Sequence, residues 1–176
     1  TAVDAGVLNI RNVTATGTVA GGVTVAAGAS LEIQGGIAVG AEALTLNAGA
    51  ANELVNVSGS NSWAGTIAMA GGAVDVVITA NDLTVSGVIS DAGGGFNKAG
   101  AGKLVLTGAN TYTGATAIDA GVLNISNATA TGTVAGGVTV AAGASLEVEG
   151  GITVGAEALT LNAGGVNELV SVNGSN

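Results

Sequence analysis

Short alternating pieces run the length of the chain: VTV, LEI, LTL, VNV, VDV, LTV and LVL. Each places apolar residues at i and i+2, the period of a strand with one buried face. Gly-rich or Asn/Ser/Thr-rich breaks end each piece after a few residues. No helical i, i+3, i+4 pattern is sustained, and Val, Ile and Thr favour strands. The pattern predicts an all-β protein built from many short strands.

The pattern also repeats. TAVDAGVLNI at Thr1 returns as TAIDAGVLNI at Thr116, and the match runs on until Asn61 aligns with Asn176, with 10 differences over 61 pairs. The differences are mild: Val3 becomes Ile118, Ile33 becomes Val148 and Asn56 becomes Ser171. The chain reads as a single continuous solenoid over 1–176, with a first unit at 1–115 and a partial second unit at 116–176. Apolar pairs at Val23/Val25, Leu44/Leu46, Val74/Val76, Leu104/Leu106, Leu123/Ile125 and Val138/Val140 serve as anchors. Their mean spacing of roughly 23 residues suits one turn of a parallel β-solenoid, with roughly four to five coils per unit. A short strand with one apolar face cannot bury it alone. Stacked coils let like residues line a thin, continuous core. A β-sandwich would need Asn-Gly or Asp-Gly hairpin turns, and Asn173-Gly174 is the only such pair.

Composition sharpens this picture. Aromatic residues are 2% of a chain that is 48% hydrophobic, so Val, Leu, Ile and Ala must fill the core, and they suit a narrow one. Proline is absent, in keeping with a structure made mostly of paired strands. The formal net charge of −9 argues against a nucleic-acid partner. No apolar run approaches roughly 18 residues, which argues against membrane insertion by a helix. The opening on Thr1 reads as a mature fragment or an excised piece.

The stretch GGGFNKAGAGKLVLTGANTYTGATAIDAGVLNI, Gly93 to Ile125, is the most distinctive segment. Lys98, Gly100, Gly102, Leu104, Leu106, Gly108, Asn110, Tyr112, Gly114 and Gly121 carry its spacing. It resembles the autotransporter-associated β-strand repeat, also called the passenger-associated transport repeat, over 93–125. Phe96 stands where that family usually has Leu, and Lys103 where it usually has Thr. The resemblance implies a right-handed parallel β-helix in a large bacterial surface or secreted adhesin. Within TGANTYTG, Asn110 is expected to bond corner backbone groups and Tyr112 to cap the corner, ahead of a sugar-binding alternative.

The catalytic reading is weak. Histidine and cysteine are absent and only three basic residues are present. Glu147 and Glu149 lie at i and i+2, but the other copy has Glu32 and Gln34, and nothing concentrates into an acid/base set. The expectation is therefore no enzyme, no catalytic or cofactor-binding residue and no cofactor. Recurring carboxylates (Asp4, Glu32, Glu42 and Glu53, then Asp119, Glu147, Glu157 and Glu168) leave weak surface Ca²⁺ binding open. A flat threonine array of the kind that binds ice is disfavoured. The outward anchor residues Thr24, Thr45, Asp75, Val105, Asn124 and Thr139 form an interrupted row.

The leading expectation is a stiff structural segment of a repetitive bacterial cell-surface adhesin or extracellular fibre. Its partners would be further copies of itself, in the same chain or head to tail, and a host or neighbouring-cell surface. The alternative is a carbohydrate-binding or carbohydrate-cleaving parallel β-helix.

Overall fold

The computed structural model describes residues 1–50, 52–162, 164 and 168–175. The first coil carries β1 (Ala2–Val3) and β2 (Val7–Ile10). Three strands per coil follow: β3 (Val23–Val25), β4 (Ser30–Gln34) and β5 (Ala38–Val39), then β6 (Leu44–Asn47), β7 (Leu54–Ser58) and β8 (Asn61–Trp63). The next coils hold β9 (Ile67–Ala70), β10 (Val74–Ile78) and β11 (Asp82–Val85), then β12 (Ile89–Asp91), β13 (Phe96–Ala99) and β14 (Lys103–Leu106). The remaining coils keep two strands each: β15 (Thr116–Ile118) and β16 (Val122–Ile125), β17 (Val138–Val140) and β18 (Ser145–Glu149), β19 (Leu159–Leu161) and β20 (Leu169–Asn173).

These strands stack into three sheets. The first runs β1-β3-β6-β9-β12, the second β2-β4-β7-β10-β13-β15-β17-β19, and the third β5-β8-β11-β14-β16-β18-β20. Every pairing is parallel. The fold is a parallel β-solenoid of about 8 turns. Its core consists of ladders of like side chains. Leu83, Leu104, Leu123, Leu146 and Leu169 stand in register on the third sheet. Beside them run Val39, Trp63, Val85, Leu106, Ile125 and Val148. The first four of the leucines and all six of the second ladder are buried. Each coil thus covers the apolar face of the one before it, which a lone short strand cannot do.

The two copies of the unit do not share faces. Strand β1 lies in the first sheet, whereas its counterpart β15 lies in the second. The same step takes β3 to β17 and β6 to β19, from first sheet to second. It takes β2 to β16, β4 to β18 and β7 to β20, from second sheet to third. The 115-residue offset therefore spans five coils and one further face. Register on the second sheet explains it: Leu8, Leu31, Leu54, Val76, Lys98, Ile118, Val140 and Leu161 are successive partners, 20 to 23 residues apart. The five coils from Leu8 to Ile118 take 110 residues, so the remaining five of the 115 carry the chain on to the next face. The anchor pairs read from sequence accordingly fall on all three sheets. The outward row divides the same way: Thr24 and Thr45 on the first, Asp75 and Thr139 on the second, Val105 and Asn124 on the third.

Candidate functional site: the inward-facing corner of the Gly93–Ile125 segment

The first sheet ends at β12, and the distinctive segment begins there. Strand β13 puts Phe96 and Lys98 on its inner face, in the ladders Val74–Phe96–Thr116 and Val76–Lys98–Ile118. Alternation thus drives a lysine into the core, where it is 0% exposed. Its ammonium turns back to the corner and donates to the carbonyls of Ala99 (3.0 Å), Gly100 (2.8 Å) and Ala120 (2.8 Å). Three donors meet three acceptors, two from its own corner and one from the next coil. Lys98 therefore pins consecutive corners together. Gly100 sits at φ 76°, and a Cβ there would lie 2.3 Å from the Ile78 carbonyl oxygen. Gly102 and Gly121 meet the backbone of the coil below just as closely.

Leu104 and Leu106 point inward from β14 and are buried. The chain then crosses the third side of the coil without a strand. Here Asn110 is buried: its side-chain carbonyl accepts from the Ile89 amide at 2.8 Å, and its amide donates to the Ala130 carbonyl at 2.6 Å. It bridges the coils on either side, so the sequence expectation of a backbone-bonding Asn holds, with its partners in neighbouring coils.

Tyr112 differs from its expected place. It does not cap a corner from outside: its ring is 0% exposed and meets Phe96 edge-on at 5.5 Å. Its hydroxyl and the Thr116 hydroxyl share a hydrogen bond of 2.7 Å. With no inward strand residues on this side, an aromatic ring fills the space. Burial pushes the Tyr112 phenol well above its ordinary range. Gly108 lies against the Gly87 backbone, and a Cβ on Gly114 would lie 2.2 Å from the Gly94 carbonyl. The carboxylate of Asp91, at the end of β12, accepts from the Thr113 amide at 3.1 Å and the Gly114 amide at 3.3 Å. Thr116 and Asp91 were not singled out in sequence. Thr116 had a signal, because it precedes the alternating Ile118 in phase with Phe96 and Lys98.

The carboxylates that recur between copies divide into two kinds. Glu53 is buried and accepts from the amides of Gly49 and Asp75, each at 2.8 Å. Glu42 is buried and accepts from the Thr16 hydroxyl, as Glu157 does from Thr131. Glu32 and Glu147 face outward and accept from Asn9 and Asn124; Glu147 also pairs with Lys103 at 2.8 Å. Among the described residues no three of His, Cys, Asp and Glu come together as a metal site.

Lysine burial gives a pH test. Desolvation pushes the Lys98 ammonium down from 10.5 to about 8. Between those values the unfolded chain holds a proton that the folded chain has released, so stability rises with pH across that window. The expected gain is on the order of 2 kcal/mol, given about 1.4 kcal/mol per pKa unit. Urea midpoints measured at pH 8 and 10 should show the rise in the wild type and not in Lys98→Met. Above pH 10 Tyr112 acts oppositely, because its phenol ionises first in the unfolded chain. A wild-type curve parallel to that of Lys98→Met would refute a buried, charged Lys98.

The geometry defines a repeat-built parallel solenoid whose most specific residues are spent on joining coils. Residues 96–125 match the passenger-associated-transport-repeat family, so the chain carries that repeat. Over 131 residues, 72% of its length, the chain is 38% identical to the Adhesin BmaC autotransporter of Brucella suis biovar 1 (strain 1330). It spans 4% of the length of that relative. No solved structure matches.

Proposed function

We propose that the chain is a stiff spacer segment of a bacterial cell-surface adhesin, working by reach and without enzymatic chemistry. The observation that supports this most directly is the use of the motif residues. Lys98 and Asn110 turn inward and bond one coil to the next, Thr116 does so through the Thr131 carbonyl, and Tyr112 packs on Phe96 of the coil before. A ligand site would leave such groups unpaired and facing solvent. The 38% identity to an autotransporter adhesin supports the extracellular placement. No cofactor is needed for this role, and any Ca²⁺ would sit weakly on outward carboxylates such as Glu32 and Glu147.

Rod behaviour is the test. Coils stacked at about 4.8 Å give about 26 Å for five coils and one face. Proteins of one, two and four 115-residue units, imaged by electron microscopy, should lengthen by that step at constant width. Compact particles or beads on flexible linkers would contradict the spacer reading.

A further inference from the structure

The two copies of the unit differ at 10 of 61 pairs, and two of those differences fall on one outward patch. Arg11 and Gln34 of the first copy become Ser126 and Glu149 of the second. Register of Ile10 with Ile33, and of Ile125 with Val148, sets the members of each pair beside one another. Next to them stand an Asn and a Glu that do not change: Asn9 with Glu32, and Asn124 with Glu147. In the first copy the patch is closed. Asn9 donates its amide to Glu32 at 2.8 Å, and its side-chain carbonyl accepts from Arg11 Nε at 3.1 Å. One guanidinium there balances one carboxylate.

In the second copy the guanidinium is gone and a second carboxylate has arrived. Asn124 Nδ2 lies 3.2 Å from Glu147 Oε2 and 3.1 Å from Glu149 Oε2. Asn124 Oδ1 is the counterpart of the atom that Arg11 serves. It has no hydrogen-bond partner among the described residues, although Asn124 is only 2% exposed. A buried acceptor left without a donor is costly, so this carbonyl marks a place for a positive group. Lys103 supplies one charge, through Glu147 Oε2 at 2.8 Å. Among the described residues no ion pair reaches Glu149.

We propose that the outward patch of Asn124, Glu147 and Glu149 is a Ca²⁺ site, in which the ion takes the part that Arg11 plays in the first copy. A half-turn of the Asn124 amide puts Oδ1 in the place of Nδ2, at 3.2 and 3.1 Å from the two carboxylate oxygens. Oxygens brought that close repel one another unless a cation lies between them. Neighbouring oxygens of a Ca²⁺ shell, each about 2.4 Å from the ion, lie roughly 2.8–3.4 Å apart, so the spacing needs little adjustment. Water completes the shell on the solvent side. Mg²⁺ demands shorter bonds and a stricter octahedron, and this patch holds it less well. Lys103 leaves Glu147 when the ion enters, and Asp82, its register partner on the other side, is there to receive it. Two carboxylates and one amide oxygen make a site of modest affinity, half-filled at about 0.1–1 mM Ca²⁺, the range of extracellular modules. The spacer reading does not depend on this site, since the patch lies outside the core.

The test is calorimetric titration of CaCl₂ into the 176-residue chain. One saturable site per chain is expected, with Mg²⁺ at least tenfold weaker. Glu149→Gln and Ser126→Arg each restore the residue of the first copy, and each should weaken binding at least tenfold. Lys103→Gln removes the competing ammonium and should tighten it several-fold. Arg11→Ser with Gln34→Glu, the converse exchange, should create a second site and raise the stoichiometry from one to two. These side chains face outward, and circular dichroism in EDTA should show the wild-type spectrum for every variant. The inference is overturned if no saturable heat appears up to about 10 mM Ca²⁺, well above that range. It is overturned equally if Glu149→Gln binds as tightly as the wild type, which would mean diffuse attraction to scattered carboxylates. Rods that fail to lengthen with unit number would sink the spacer reading and leave this binding untouched, so the two failures are distinguishable.

Discussion

Leu106→Asp is expected to abolish cooperative folding of the middle coils. Leu106 is 0% exposed and stands in register between Val85 and Ile125. The ladder is thin, so no second layer of side chains can shift aside and no water can follow the charge inward. An unpaired buried carboxylate costs several kcal/mol even after it protonates, and the lost leucine packing adds about 2–5 kcal/mol. The sum exceeds about 5 kcal/mol, comparable to the whole stability of an ordinary domain. Thr107→Asp is the matched control, because the neighbouring residue points the other way and is exposed. A shift of one residue in a strand exchanges core for solvent, so that substitution should move stability by less than about 0.5 kcal/mol. Circular dichroism during urea denaturation reads both. A Leu106→Asp chain with the wild-type midpoint would mean that β14 does not face the core.

Much of this architecture could be read before any coordinates. Alternation at LTL, VDV and LVL gave strands, and the return of TAVDAGVLNI gave a repeat that had to be stacked. Which residues point inward was legible too, since Leu104 and Leu106 are core as their spacing required. The face a strand occupies was not. Val23/Val25 and Val138/Val140 are the same words in the two copies, yet they lie on different sheets. Alternation reports in and out; it carries no information on angle around the axis, which depends on the lengths of the corners summed along the chain. Tyr112 was misplaced for a related reason. Its segment has no alternation, which suggested an outer corner. In the structure the missing strand leaves room that the ring fills against Phe96. Lys98 was legible as a motif residue, but its charge hid its burial. The phase of Phe96 and Lys98 with Val74 and Val76 was the signal that it faces inward.

The turn between units makes an all-or-none prediction. Were the 115-residue unit a whole number of coils, β15 would occupy the place of β1 in the first sheet. It would then stack on β12, with Ala117 beside Ser90. In the structure β15 stacks on β13, and Ala117 pairs with Asn97. The chain has no cysteine, so paired substitutions have no background. Asn97→Cys with Ala117→Cys should cross-link under mild oxidation or with a short bismaleimide, because adjacent strands lie about 4.8 Å apart. Ser90→Cys with Ala117→Cys should not, since those residues lie on different sheets. Mass spectrometry of the linked peptides distinguishes the two, and the reverse result would remove the one-face turn. The consequence for an adhesin is geometric. The Asn9–Glu32 pair lies on the second sheet and its counterpart Asn124–Glu147 on the third. Each further unit would carry the same surface to the next face, and with three faces, three units would bring it back to the start. A partner that recognises the outer surface of one unit would meet it again from another side about 26 Å along the axis. A solenoid continued this way would have no blind side, whereas a whole-number repeat would confine every copy of a site to one face.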